Sequence, residues 1–226
     1  MIGLYPAASD GDDIVLYADE SRERERMRLP QLRNQQADRE RNLSLADFVA
    51  PLGSGVKDYV GAFAVTAGLG LEELAGRYRS EGDYRAIMAK LLADRLTEAF
   101  AEALHRYARV TLWGYEREGQ WSVGDLLAEK YQGIRPAFGY PSAPDHSLKA
   151  DVFALMDVGT VTGMTMTESY MIVPGEAACG LMLGHPEARN FSVGRIDSEQ
   201  LASYAARRGT DPEKMRVLIP QHLIDM

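Results

Sequence analysis

The run Tyr59-Val-Gly-Ala-Phe-Ala-Val-Thr-Ala67 is apolar at nearly every position, on both sets of alternating residues. A strand with one solvated face alternates apolar with polar residues, and one that does not alternate needs cover on both faces. This stretch therefore predicts a strand near the middle of a sheet. Gly53-Ser-Gly-Val-Lys-Asp58 before it reads as a glycine loop. Gly53-x-Gly is too short for a dinucleotide fingerprint, and the sequence predicts no helix directly after it. Asp58, where loop meets strand, either caps the turn or presents a carboxylate to a ligand ammonium.

The remaining elements are arranged around that strand. Ile2–Pro6 and Ile14–Tyr17 flank Ser9-Asp-Gly-Asp-Asp13, a hairpin signal. The charged segment from Ser21 to Glu40 predicts continuation of the strand and then a solvated helical turn near Pro30–Arg39. Helices are predicted over Leu69–Arg79 and Asp83–Arg109, with Val110–Trp113 able to extend the second. In that helix Tyr84, Ile87, Met88, Leu91 and Leu92 supply the apolar period. Asp94 and Glu98 share a face. Glu98 projects from the edge of the stripe, where a carboxylate pairs with Arg95 or Arg106 or lines a cavity. Ser122 and Asp125 form a capping-box pattern for a short helix that passes Glu129. Ser147–Met156 reads as a helix. Thr165–Val173 reads as a strand, turned by Pro174-Gly175 into a partner strand, Ala177–Leu183. A further strand is predicted over Phe191–Ile196, then a helix from Asp197 or Ser198 to Arg208. The last helix opens at Asp211-Pro212. Strands joined by hairpins as well as helices imply an α+β fold, mainly an antiparallel twisted sheet with flanking helices.

Tyr131-Gln-Gly-Ile-Arg-Pro-Ala-Phe-Gly-Tyr-Pro-Ser-Ala-Pro-Asp-His146 stands apart. Pro136, Gly139, Pro141 and Pro144 exclude a regular helix or a central strand. A rigid loop that carries Arg135, Tyr131, Tyr140 and His146 suits a ligand-binding edge, with an ordinary surface turn as the competing reading. Composition narrows the chemistry. A net charge of −8 argues against nucleic acid as the main partner, and the basic run Arg22–Arg28 is nearly neutralised by its glutamates. No apolar window is long enough to span a membrane and no signal peptide is visible, so the expected setting is cytoplasmic. One cysteine, Cys179, excludes an internal disulfide, and His105, His146, His185 and His222 show no metal-ligand spacing. Nucleophile-elbow and phosphate-loop patterns are absent. What remains is a binding inventory of acids Asp58, Asp94, Glu98 and Glu129 with the cation Arg135. A zwitterionic amino acid needs a carboxylate for its ammonium and a guanidinium for its carboxylate, and Asp58 and Arg135 are of those types.

Several stretches resemble the C-terminal activation, or S-adenosylmethionine-binding, domain of cobalamin-dependent methionine synthase. They are Leu45-Ala-Asp-Phe-Val-Ala-Pro51, Asp58–Gly68, Ala93-Asp-Arg-Leu-Thr-Glu-Ala-Phe100, Tyr131–Pro141, Thr162–Ser169 and Gly184-His-Pro186. The resemblance runs nearly the whole length, from about residue 3 to residue 223, and treats 1–226 as one activation domain without the family's preceding helical part. It implies a module that docks over a cobalamin carried by a partner domain. Flavodoxin or a diflavin reductase supplies an electron there and S-adenosylmethionine remethylates the cobalt. By motif, Asp58 would pair with the ligand's amino group and Arg135 with its carboxylate. The backbone around Ala137 would hold the adenine, and Tyr140 would lie near the sulfonium. Asp94, Glu98 and Glu129 match acidic positions near the ligand, and His146 is structural. Where the family often has an aromatic pair beside the adenosine, the resemblance puts Met182 and Leu183, which keep apolar contact but lose ring stacking. That departure raises a second expectation: a docking module for the cobalamin domain and reductase that binds ligand weakly or not at all.

Overall fold

The structure, a computed structural model, describes residues 1–36, 41–80 and 82–223. Its organising strand is β4 (Asp58–Thr66), which pairs antiparallel with β1 (Ile2–Asp10) on one side and β7 (Ala177–Leu183) on the other. β1 continues through the expected hairpin into β2 (Asp13–Tyr17), and β2 pairs with β3 (Glu25–Pro30). The five-stranded order is β3-β2-β1-β4-β7. β4 is thus interior, and both of its faces are covered. Val60, Ala62 and Ala64 join Leu181 and Leu183 in the main core, roofed by Leu148, Val152 and Leu155 of α4 (Leu148–Met156). On the opposite face Phe63 and Val65 join Met182 and Ala101. The α+β, mainly antiparallel fold with flanking helices is as expected from the sequence.

Ala101 belongs to α2 (Asp83–Tyr107), which follows α1 (Leu71–Arg79) and leads into a single π-helical turn at Ala108–Leu112. The face of α2 that packs inward is not the one the apolar period selects. Buried positions are Ala86, Ala93, Thr97, Ala101 and His105, while Ile87, Leu91 and Leu92 are 57%, 53% and 57% exposed. Small side chains let the helix axis approach the sheet closely, which a row of leucines on that face would prevent. Thr97 fixes the approach, since its hydroxyl donates to the Glu176 carbonyl at 2.9 Å and accepts from the Ala67 amide at 3.2 Å.

Three expected elements differ. Within 165–173 only β5 (Thr165–Met166) and β6 (Ile172–Val173) are extended, and they pair with each other, not with β7. The Thr167 hydroxyl accepts from the Met171 amide at 3.0 Å, a side-chain bond that competes with a longer ladder. Residues 191–196 form no strand. Val193 and Ile196 instead enter a C-terminal cluster with α6 (Ser198–Arg207) and α7 (Pro212–Leu218). Their amides donate to single carbonyls, those of Pro141 and His222. Finally, residues 31–36 make no helical turn, because Arg33 is drawn to Asp12 and Asp47 at 2.5 and 2.8 Å; residues 37–39 lie outside the described set. Between α2 and α4 lies α3 (Val123–Leu127), with its Ser122–Asp125 capping box formed, and α5 (Val158–Thr162) follows α4.

Candidate functional site

The proline-rich segment lies along the outer side of β7 as an irregular edge strand. The Ile134 amide donates to the Leu183 carbonyl and the Leu183 amide returns the bond, both at 2.9 Å. The Leu181 amide donates to the Pro136 carbonyl at 3.0 Å, and the Phe138 amide to the Cys179 carbonyl at 3.0 Å. Pro136 contributes only an acceptor, which an edge position tolerates. Beyond Phe138 the chain turns: the Gly139 amide donates to Ala143 and the Ala143 amide to Tyr140. Gly139 makes that turn with φ of +96°, and a Cβ there would fall 2.3 Å from the His146 ring, so a larger residue has neither the conformation nor the room. His146 accepts at Nδ1 from the buried Lys149 ammonium at 2.7 Å, a structural pairing in which desolvation and Lys149 lower the imidazole pKa.

Between this edge strand and α2 is a cavity of ≈ 270 Å³. Arg135, Pro136, Ala137 and Tyr140 wall one side, Glu98 and Ala101 of α2 another, and Phe63 and Ala178 of the sheet form the floor. Glu129 enters from the residue after α3's cap with φ of +49°, uncommon for a residue with a Cβ, and accepts from the Asn190 side-chain amide at 3.1 Å. The Tyr140 hydroxyl donates to Glu98 at 3.3 Å across the opening, and desolvation, then Glu98, raises the phenol pKa. Arg135 Nη1 lies 2.5 Å from Glu102 Oε2 and 2.8 Å from the Tyr131 hydroxyl. One guanidinium and two carboxylates therefore converge on a mostly apolar cleft, a setting that can hold a ligand bearing both signs of charge.

Of the residues singled out in the sequence, Arg135, Ala137, Tyr140, Glu98 and Glu129 line this cavity. Asp94 does not; it is exposed, one turn earlier on α2. Asp58 does not either. It sits at the far end of β4 from Phe63, and its carboxylate accepts from the amides of Ala50 and Tyr59 at 2.9 and 2.7 Å. The turn-capping alternative accounts for those two bonds, and Asp58 is not among the residues that line the cavity. Met182 and Leu183 are likewise core residues, fully buried on opposite faces of β7. Strand alternation sends Met182 toward α2, where it packs with Phe63 and Ala101, and Leu183 toward α4, and neither lines the cavity. Phe191, beside Asn190, does line it. Both escaped the sequence reading because they lie on an irregular segment with no period to mark them.

A family model described as "Vitamin B12 dependent methionine synthase, activation domain" matches residues 1–209. The chain belongs to this methionine synthase activation-domain family. A solved structure described as the MetH reactivation domain bound to AdoHcy is similar to it throughout: TM-score 0.96 and 42% identity, over 100% of this chain and 70% of that one. No helix among the described residues is long and apolar enough to cross a membrane.

Proposed function

We propose that this activation domain binds S-adenosylmethionine in the cavity between residues 134–142 and α2, and so serves reductive remethylation of a cobalamin held by a partner domain. The observation that carries the reading is the convergence of Arg135 with Glu98 and Glu129 on one cleft. When bound, S-adenosylmethionine supplies an electrophilic methyl group. The residues present suit it. Arg135 matches the carboxylate, since a guanidinium fork pairs a carboxylate bidentately. Glu98 and Glu129 supply negative potential for the ammonium and sulfonium. Because Ile134, Pro136 and Phe138 direct their backbone groups at β7, strand alternation turns the amides of Arg135 and Ala137 to the open side. Those amides offer an edge to the adenine, and Phe191 offers a ring face to the adenosine. Tyr140, held by Glu98, lies at the opening, where the methyl must leave.

Binding and orientation, rather than proton transfer, are the work assigned to these side chains. The module acts as part of a methyltransferase, in a cytoplasmic setting, with a cobalamin-binding domain as its partner and flavodoxin or a diflavin reductase as electron source. The resemblance to a reactivation domain bound to AdoHcy favours a ligand-binding module over one that only docks. The apparent loss of stacking at Met182-Leu183 no longer favours docking alone, since those side chains lie in the core. Equilibrium dialysis with labelled S-adenosylmethionine tests the proposal: saturable retention at a single site is expected, and absence of retention sinks it.

A further inference from the structure

Behind Arg135 is a charged cluster that the ligand-binding roles above leave unused. Arg109, in the π-helical turn, is fully buried, with its guanidinium 3.8 Å from the centroid of the Tyr131 ring. It pairs with Glu116 at 2.7 Å and approaches Glu102 at 3.7 Å. Glu102 reaches the other way, to Arg135 Nη1 at 2.5 Å, and accepts from the Tyr131 hydroxyl at 3.2 Å. Arg135 Nη1 also donates to that hydroxyl at 2.8 Å. One carboxylate thus stands between two guanidinium groups. His105, edge-on to Tyr131 at 5.3 Å, is held neutral by burial and by the two arginines, so it adds no third cation.

Both partners of Arg135 are on Nη1; its Nε and Nη2 make no hydrogen bond among the described residues. Resting on the S-adenosylmethionine reading above, we infer that Glu102 is a positioning residue, which grips Nη1 so that the Nε–Nη2 edge of Arg135 is offered to the ligand's carboxylate. The physical reason is preorganisation. An arginine that is already oriented loses less rotamer freedom when it binds, and a two-donor edge needs a fixed plane to pair bidentately. Glu102 can hold that plane because Arg109 anchors it from behind, and Arg109 is in turn fixed by Glu116 and by the Tyr131 ring. A carboxylate that merely competed for Arg135 would need no such support.

The test compares two ligands by titration calorimetry on the whole chain: AdoHcy, which has an amino-acid carboxylate, and 5′-methylthioadenosine, which lacks one. Glu102→Gln keeps the shape and removes the charge. It is expected to weaken AdoHcy about tenfold while changing 5′-methylthioadenosine by less than about twofold. Tyr131→Phe, which keeps the ring under Arg109, is expected to show the same selectivity with a smaller loss, and it carries the test if Glu102→Gln does not fold. Equal losses for both ligands would indicate general damage and overturn the inference, as would unchanged or tighter AdoHcy binding. A wild-type chain that binds neither ligand would overturn the S-adenosylmethionine reading itself and the role of Glu102 with it.

Discussion

Gly180 lies against the carbonyl of Pro136 so closely that a Cβ at position 180 would fall 2.2 Å from that oxygen. This contact lets the proline-rich segment run alongside β7 as an edge strand, and so forms one wall of the cavity. Gly180→Ala is expected to push the segment away, with a loss of about 1–3 kcal/mol in stability and weaker ligand binding. Urea unfolding at fixed temperature reads the first effect. An unchanged midpoint would mean that the edge strand does not depend on this contact.

Glu98 faces the opening beside Tyr140, where the proposed ligand carries its sulfonium charge. AdoHcy is neutral at that sulfur, so Glu98→Gln is expected to weaken S-adenosylmethionine about threefold more than AdoHcy. Parallel calorimetric titrations of the two ligands check this. Equal effects on both would place the sulfur elsewhere.

His105 gives the fold a dependence on acid. Desolvation first, then Arg109 and Arg135, lower its pKa from 6.5 to about 2, so the folded chain keeps it neutral while the unfolded chain protonates it below pH 6.5. The unfolded state then binds more protons, and stability falls as pH falls through that window. Between pH 7 and pH 5 the expected loss from this residue is about 2 kcal/mol. His105→Leu should flatten that part of the profile, measured as unfolding midpoints in urea at the two pH values. A variant that loses stability with acid as steeply as the wild type would remove His105 as the cause.

The two faces of α2 are expected to respond in opposite ways to substitution. Leu91→Ser, on the exposed face, should shift stability by no more than about 0.5 kcal/mol. Ala93→Leu, on the buried face, should cost about 1–3 kcal/mol through overpacking. Thermal or urea unfolding of the two variants reads both. The reverse order would mean that the leucine face is the packed one.

How far the sequence disclosed this depends on what each residue responds to. β4 was legible because an unalternating apolar strand has few places to go other than the middle of a sheet, and the Ser122–Asp125 cap was legible because it is local. The inward face of α2 was not, because hydrophobic period ranks leucine above alanine while close helix–sheet packing selects the smaller residue. Arg135, Ala137, Tyr140, Glu98 and Glu129, marked in the sequence, meet in one cleft. Asp58 and Met182-Leu183, marked with them, lie outside that cleft: the Asp58 carboxylate takes the Ala50 amide, and Met182 and Leu183 are placed by strand pairing, neither of which a linear motif contains. Phe191 and Asn190 reach the cleft on an irregular segment, where only the folded chain reveals them. Glu102 carried a faint signal, one helical turn beyond Glu98 on the same face.

The central claim is that the ligand lies between the edge strand and α2 and is held there by Arg135. Calorimetric titration of S-adenosylmethionine into the wild type, Arg135→Ala and Asp58→Ala tests it most directly. The account predicts at least about tenfold weaker binding for Arg135→Ala, from loss of a charge-assisted pair, and a change within about twofold for Asp58→Ala. Undiminished affinity in Arg135→Ala, or a loss confined to Asp58→Ala, would contradict it.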